Sequence, residues 1–265
     1  MKVGFYQFGP ILGEKEKNLA KVCARLRKVD AHLMVLPELF ATGYLFRDRT
    51  ELEAAAEPIP YGETIQTLLS ISKQKKMFIV GGIAEKAGEK IYNSAILVCP
   101  NGKVFTYRKV HLFMEEKFLF TPGDKPFPVF DTGKAKIGML ICFDWVFPEA
   151  SRILALRGAQ IICQPSNLIL PYAHKVTLAR ALENRVFIIL CNRIGEESKG
   201  RKKLRFNGMS QIVNTYGEIL FRAPKEREFL KVVEINPKQA WAKKVTKYND
   251  VIQDRRPELY HKLIY

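Results

Sequence analysis

The sequence predicts a layered α/β protein, and three observations lead to this fold class. Short apolar runs of strand length alternate along the chain with longer segments whose apolar residues recur at helical spacing. No Gly-Ser-rich or Pro-rich linker interrupts this alternation. With 265 residues and 47% hydrophobic content, the chain is long enough for one substantial core, so we expect a single domain.

The first half of the chain contains five predicted strands and two predicted helices. The strands are apolar runs bounded by charged or turn residues, at 2–8, 32–36, 77–83, 92–99 and 104–107. Helices are predicted over 14–27 and 63–75, and a loop over 41–45. The motif Asn101-Gly102 predicts a hairpin turn, because these residues adopt the positive φ angles that tight turns need.

The second half follows the same pattern. Strands are predicted at 137–141, 160–164, 186–191, 209–213, 219–221 and 229–235. Pro148 suits the first turn of a helix that Gly158 ends, and another helix is predicted over 172–184. The tail, 237–265, is charged and aromatic without a strong period, so it is expected either to pack along the body or to reach a partner subunit.

Composition narrows the classes of function. The net charge of +16 suggests nucleic-acid binding, but the basic residues are dispersed apart from the run 199–203, and no helix-turn-helix, RRM or zinc-finger pattern is present. We therefore interpret the charge as a solvated surface and expect no nucleic-acid partner. A non-enzymatic nucleic-acid-binding protein stays as an alternative, and it would bind with steep salt dependence.

Cysteines and histidines exclude two further classes. The five cysteines form no CxxC pair, and the four histidines lie far apart without metal-ligand spacing, so we expect free thiols and neither a metal nor a cofactor. The start MKVGFYQFGP is too short an apolar run for a signal peptide, and no run approaches the roughly 20 residues that span a bilayer. A cytoplasmic protein without a membrane partner is predicted.

Three residues at or just beyond strand ends are candidates for catalysis. Cys142 ends an apolar run at a strand-to-helix corner, where a thiol is exposed and nearby N–H groups can stabilise an anion. Glu38 follows the strand at 32–36, and Lys109 follows the strand at 104–107. A thiol that attacks an amide or nitrile carbon needs such a base and such a cation. Each residue alone also has an ordinary interpretation: a core cysteine, a helix-start carboxylate and a solvated cation.

Three motif blocks resemble those of the nitrilase superfamily of carbon-nitrogen hydrolases. They are 36–40 (LPELF), 107–112 (YRKVHL) and 138–149 (GMLICFDWVFPE), and they occur in the family's order. Further similarity lies in 120–124, 181–185, 192–195 and 206–210, so the resemblance extends from the first strand to about Ile235. It implies one domain over 1–265 folded as a four-layer α-β-β-α sandwich, with a core over about 1–236. It also implies a homodimer or higher oligomer formed through the outer helices and the tail.

The resemblance also implies residue roles and a mechanism. Glu38 corresponds to the general base, Lys109 to the group that stabilises the tetrahedral intermediate, and Cys142 to the nucleophile. A second glutamate of the family corresponds to Glu116, six residues before Pro122, with Glu115 as the adjacent alternative. The expected reaction forms a thioester on the cysteine, with the N–H of Phe143 beside the oxyanion, and the lysine is expected to lower the pKa of the thiol.

The substrate is expected to be a small amide or N-carbamoyl compound, with an aliphatic nitrile as the rival. Many relatives that bind acidic substrates carry arginine three or four residues after the nucleophile, where this chain has Trp145 and Val146. A neutral or apolar acyl group is therefore favoured. The candidate pocket residues are Tyr44, Phe143, Trp145, Asn167 and Tyr172, and each of the aromatic ones could equally be ordinary core packing. An ammonia-supplying glutaminase is a further alternative, normally fused to a synthetase.

Overall fold

Two six-stranded β-sheets form the centre of the molecule in a computed structural model, which describes residues 1–263. In chain order the strands are β1 (Lys2–Gln7), β2 (Leu33–Val35), β3 (Phe78–Ala87), β4 (Lys90–Val98), β5 (Val104–Arg108), β6 (Val129–Asp131), β7 (Lys136–Met139), β8 (Ile161–Ser166), β9 (Phe187–Asn192), β10 (Ile194–Lys199), β11 (Lys202–Asn207), β12 (Gln211–Val213), β13 (Ile219–Arg222) and β14 (Phe229–Glu234). The α-helices are α1 (Lys15–Leu26), α2 (Arg49–Ala55), α3 (Glu63–Lys75), α4 (Glu116–Leu119), α5 (Pro148–Leu156) and α6 (Ala173–Asn184).

The sheets pack face to face and are covered by helices on both outer sides. One sheet has the order β14-β1-β2-β3-β4-β5, and the other has the order β13-β12-β9-β8-β7-β6. Helices α1 and α3 cover the first sheet, while α5 and α6 cover the second. The predicted four-layer α-β-β-α sandwich is therefore confirmed.

The apolar pattern of the strands explains this layering. In β2, Leu33 and Val35 belong to the core between the two sheets, whereas Met34 packs beneath α1 and α3. Successive side chains of a strand point to opposite faces, so a strand that is buried on both faces reads as a continuous apolar run. The short runs in the sequence thus mark strands that are covered on both sides.

Several elements of the fold were not predicted from the sequence. They are α2, α4, β6 and the antiparallel hairpin formed by β10 and β11, which forms a separate two-stranded sheet. Half of the residues in these two strands are exposed and half are charged, so they lack the apolar period that identified the other strands. In the predicted turn after β4, only Gly102 of the Asn-Gly pair has a positive φ, of 86°.

The described part of the tail packs along the body of the molecule. Gln160 Nε2 donates a hydrogen bond to the carbonyl of Pro237 at 2.9 Å, and Lys243 Nζ donates to the carbonyl of Asn184 at 2.9 Å. This agrees with the first of the two predicted arrangements. Among residues 1–263, the structure contains no helix that is both long and apolar enough to cross a membrane.

Candidate active site

The centre of the site is a buried lysine held between two glutamates. Lys109 Nζ donates to Glu38 Oε1 at 2.7 Å and to Glu116 Oε1 at 2.9 Å. The side chains of Lys109 and Glu38 are fully buried, and that of Glu116 is 3% exposed. Burying charges is costly unless they are paired, so this cluster is not explained by surface solvation. Glu115, in contrast, points outward and pairs with Lys202. Of these two glutamates, Glu116 is therefore the one that contacts Lys109.

Glu38 lies just beyond β2, against the backbone of β3. A Cβ atom added to Gly82 would lie 2.5 Å from the Cα of Glu38, so this close approach requires glycine. Asn93 Nδ2 donates to Glu38 Oε1 at 2.7 Å, while Oε2 has no hydrogen-bond partner within the described chain. Burial raises the pKa of the Glu38 carboxyl, with Lys109 opposing that shift and the charge of Glu116 adding to it. One carboxylate oxygen is thus unpartnered, and the carboxyl can hold a proton more readily than an exposed glutamate.

Lys109 follows β5 and is fixed through its backbone. The N–H of Gly123 donates to the carbonyl of Lys109 at 2.8 Å, and a Cβ at Gly123 would approach the carbonyl of Arg108 to 2.3 Å. Burial acts to lower the pKa of the Lys109 ammonium, but the charges of Glu116 and Glu38 outweigh it and raise the pKa. The ammonium form of Lys109 is therefore favoured in this site.

Cys142 is the first residue of a short 3₁₀ helix, Cys142–Val146. Two residues, Leu140 and Ile141, connect the end of β7 to this helix. The φ angle of Cys142 is 40°, in the left-handed region that non-glycine residues seldom adopt and that is often found at functional sites. Asp144 holds this corner, because its Oδ2 accepts hydrogen bonds from the N–H of Ile141 at 2.9 Å and from the hydroxyl of Tyr107 at 2.7 Å. The sharp corner predicted from the sequence is thus present at Cys142.

The surroundings of Cys142 raise the pKa of its thiol. Burial raises its pKa well above the usual value, and the charges of Glu38 and Glu116 act in the same direction. Lys109 acts to lower it, as expected from the sequence, but this effect is outweighed. The expected effect of Lys109 is therefore present, but burial and the two carboxylates raise the pKa by more than the lysine lowers it. A thiol in this site needs a base to remove its proton.

A small apolar cavity of about 10 Å³ adjoins Cys142. Its other lining residues are Phe113, Phe143, Trp145, Asn167, Leu168, Ile169 and Leu170. Asn167 is 4% exposed, and neither polar atom of its side chain has a partner among residues 1–263. Buried amides are normally hydrogen-bonded, so Asn167 offers an unused donor and acceptor at the cavity wall.

Asn167 also lines a second cavity, of about 30 Å³, which Tyr44 and Glu116 line as well. Tyr44 donates from its hydroxyl to Glu116 Oε1 at 2.8 Å. Four of the five predicted pocket residues, Tyr44, Phe143, Trp145 and Asn167, therefore line one or both cavities. Tyr172 lines neither, since it precedes α6 and is 57% exposed, so its predicted role has no geometric support.

Sequence reasoning missed one residue that contacts the candidate base. Asn93 is fully buried in β4, where it and Ser94 interrupt an otherwise apolar strand. Such a polar pair inside a buried strand must find partners, and this was an available signal in the sequence. The partner, Glu38, could not be predicted from that signal because it lies 55 residues away along the chain.

Comparison with known proteins gives consistent results. The sequence model of the family described as carbon-nitrogen hydrolase matches residues 2–243. A protein named nitrilase from Pyrococcus abyssi is 44% identical over 98% of this chain and 99% of its own length. An (R)-stereoselective amidase from a Pseudomonas species is 35% identical over 97% of this chain and 92% of its own.

Solved structures agree with this assignment. A carbon-nitrogen hydrolase from Helicobacter pylori G27 superposes with a TM-score of 0.90, at 25% identity over 100% of this chain and 98% of its own. A variant of the amidase from Nesterenkonia sp. AN1 superposes with a TM-score of 0.82, at 27% identity over 99% of both chains. That structure is described as showing Michael addition of acrylamide at the active-site cysteine.

Proposed function

The chain belongs to the carbon-nitrogen hydrolase family, and from this premise we propose that it hydrolyses a small neutral amide through a cysteine thioester. The observation that carries the proposal is the buried contact of Lys109 with Glu38 and Glu116, beside the Cys142 thiol at a strand corner. Such a buried charged cluster has no evident structural advantage, because a protein with hydrophobic residues of similar volume in its place is often at least as stable.

In the first half-reaction Glu38, Lys109 and Cys142 act as a triad. The unpartnered oxygen of Glu38 takes the thiol proton while the sulfur bonds to the substrate carbon. Negative charge develops on the substrate oxygen, where the Lys109 ammonium and the N–H of Phe143 stabilise it. The carbon–nitrogen bond then breaks, the nitrogen takes the proton from Glu38, and ammonia or an amine leaves a thioester on Cys142.

In the second half-reaction water replaces the amine. Glu38, again ionised, takes a proton from a water molecule while the oxygen of that water attacks the thioester carbon. The carbon–sulfur bond breaks, the thiolate regains the proton, and a carboxylic acid is released. Glu116 shares the Lys109 ammonium with Glu38 and so helps to hold the lysine in place beside the substrate oxygen.

The lining of the cavity beside Cys142 favours a short, uncharged acyl group. Phe143 and Trp145 lie at its wall, and no basic residue lines it within the described chain. An acidic substrate would leave its carboxylate buried without a partner, which is strongly unfavourable. Asn167 supplies the hydrogen-bonding partner for a neutral polar group such as the substrate amide.

Nitrile hydrolysis is the second candidate, and the 44% identical relative named nitrilase favours it. The same residues serve both reactions: the thiol adds to the nitrile carbon to form a thioimidate, one water converts this to the thioester with loss of ammonia, and a second water releases the acid. The two candidates therefore differ in substrate rather than in the groups that act.

Ammonia release across a matched substrate panel tests the proposal. The panel combines aliphatic and aromatic amides, N-carbamoyl amines and nitriles, with the Cys142→Ala protein as the blank. We expect release from small neutral amides and little from substrates with a carboxylate on the acyl side. Preference for nitriles would select the second candidate, whereas activity confined to acidic amides would contradict the neutral pocket.

Replacing Trp145 with alanine is expected to change selectivity more than overall activity. The enlarged cavity should favour a longer acyl group over a shorter one by about tenfold relative to the original protein, the usual value for a methylene or two in an apolar pocket. The ratio of kcat/KM for two homologous amides measures this change. Trp241→Ala is the matched control, because Trp241 lies in the tail and is 63% exposed. Unchanged selectivity in the Trp145 variant would remove this residue from the pocket.

The value of kcat/KM is expected to rise with pH through the pKa of Glu38 and then level off. Only the ionised carboxylate can take the thiol proton, and burial raises its pKa above the ordinary 4.5, so activity should be lost on acidification earlier than for an exposed glutamate. The same pKa shift affects stability in the opposite direction. The folded state binds the Glu38 proton more tightly than the unfolded state does, so this proton stabilises the fold at low pH. That stabilisation is lost as pH rises through the pKa of Glu38 in the folded state. A kcat/KM independent of pH across the acidic range would contradict the role of Glu38.

We also propose that residues 1–265 form one domain that assembles as a homodimer in the cytoplasm. All five cysteines are free, which suits a reducing compartment. The outer helices α5 and α6 and the adjoining tail are the faces expected to meet a partner, by resemblance to the family. Sedimentation of the purified protein tests the assembly, and a monomer at all concentrations would contradict it.

A further inference from the structure

A buried ion pair lies at the base of the β10–β11 hairpin, outside the catalytic cluster. The side chains of Arg193 and Glu197 are each 1% exposed, and Arg193 Nη1 donates to Glu197 Oε1. Arg193 also donates from Nη2 to the carbonyl of Pro10 at 2.9 Å and stacks 4.1 Å from the ring centre of Phe206. Buried ion pairs are weak contributors to stability, so the pair calls for another explanation.

The carboxylate of Glu197 holds the loop that carries Tyr44. Its Oε2 accepts hydrogen bonds from the N–H of Tyr44 at 3.0 Å and from the N–H of Leu45 at 2.8 Å. The loop fits closely around it, since a Cβ at Gly43 would lie 2.8 Å from Glu197 Oε1 and Gly43 has a φ of 82°. Arg193 provides the counter-charge for this carboxylate in the interior.

Tyr44 extends these contacts to the catalytic cluster. Its hydroxyl donates to Glu116 Oε1, the same oxygen that accepts a hydrogen bond from Lys109 Nζ. Its ring meets the ring of Phe206 edge-on at 6.1 Å, so Arg193 and Tyr44 contact the same aromatic side chain. Both the backbone and the ring of Tyr44 are therefore held by the hairpin.

We propose that Glu197 is a positioning residue for the hydrolytic reaction, acting through Tyr44 on Glu116 and Lys109. The carboxylate fixes the Tyr44 backbone so that the phenol shares the charge of Glu116, and this leaves the Lys109 ammonium available to the developing oxyanion. This role rests on the proposed function. Within residues 1–263, no direct contact of Glu197 with Lys109 or Cys142 is found, so its effect would pass through Tyr44.

A double-mutant cycle between Glu197→Gln and Tyr44→Phe tests the proposal. Each single variant should lower kcat/KM by roughly ten- to a hundredfold, the factor that corresponds to a hydrogen bond to a charged group. Because both changes interrupt the same chain of contacts, the double variant should be no worse than the poorer single variant. Losses that multiply would show independent effects and would overturn the proposal.

The rate at which iodoacetamide alkylates Cys142 provides a readout that requires no substrate. Without the Tyr44 hydroxyl, the charge of Glu116 is less well neutralised and opposes the thiolate, so alkylation should slow equally in both single variants and in the double variant. If the original protein hydrolyses nothing on the substrate panel, the proposed function fails, yet the alkylation cycle still decides the role of Glu197. Alkylation that is unchanged in a folded Glu197→Gln protein would contradict that role.

Two further variants separate positioning from folding. Glu57→Gln is the matched control: Glu57 is a buried carboxylate that accepts from the N–H of Thr64 at 2.9 Å and pairs with Lys15 at 2.9 Å, away from the site. It should leave kcat/KM of the folded protein unchanged. If Glu197→Gln does not fold, the paired change Arg193→Met/Glu197→Leu removes both charges, which preserves stability in many proteins. This folded variant should still show the loss of kcat/KM that Tyr44→Phe produces, and full activity would overturn the proposal.

Discussion

Replacing Cys142 with alanine is expected to lower turnover of the best substrate on the order of a millionfold, as happens when a hydrolase loses its nucleophile. The remaining groups, Glu38 and Lys109, can polarise a carbonyl but cannot form the covalent intermediate that divides the reaction into two easier steps. Ammonia release by matched amounts of the two proteins measures the loss. Stability should change by only about 1 kcal/mol, because the substitution removes one buried sulfur atom and retains a Cβ.

Cys23→Ala is the appropriate control for this loss. Cys23 faces inward from α1, is 6% exposed like Cys142, and packs in the cluster beneath the outer helices. Its removal should leave turnover unchanged at a similar small cost in stability. A Cys142→Ala protein that kept most of its turnover would contradict the thioester mechanism.

The positions of the catalytic candidates could be predicted because each follows a strand. The apolar run ending at Pro37, the hairpin signal before Lys109 and the run ending at Cys142 are local features that sequence patterns describe well. The contact between these three strand ends could not be predicted from local patterns, because it depends on which strands pair and how the two sheets stack. The prediction of their contact came from the resemblance to a family.

The hairpin that holds Tyr44 shows what local patterns cannot reveal. Glu197 lies in the sequence GEESKGRKKLRF, whose charges indicate an exposed segment, and its neighbours Glu196 and Ser198 are indeed exposed. The burial of a single carboxylate depends on a loop about 150 residues earlier in the chain and on the guanidinium of Arg193. Nothing in the spacing of the hairpin residues carries that information.

The lysine at the centre of the site supports a second prediction. Lys109→Met keeps most of the side-chain volume but leaves Glu38 and Glu116 facing each other in the interior without their shared cation. Breaking a buried ion pair in this way costs about 3–5 kcal/mol. Turnover should also fall by several powers of ten, because the oxyanion loses its charged partner. Urea unfolding and ammonia release measure the two effects, and Lys117→Met, at an exposed position on α4, is the control that should change neither.

A triple variant separates the electrostatic effect on stability from the chemical effect on turnover. In Lys109→Met/Glu38→Gln/Glu116→Gln the buried carboxylates are replaced by neutral amides of the same shape, so the repulsion and most of the desolvation penalty disappear. Most of the lost stability should return while turnover stays absent, because neither the base nor the cation is restored. If the triple variant were as unstable as the single one, the loss would reflect packing around the lysine side chain. The charges of the cluster would then be retained for catalysis alone, without a measurable part in holding the two sheets together.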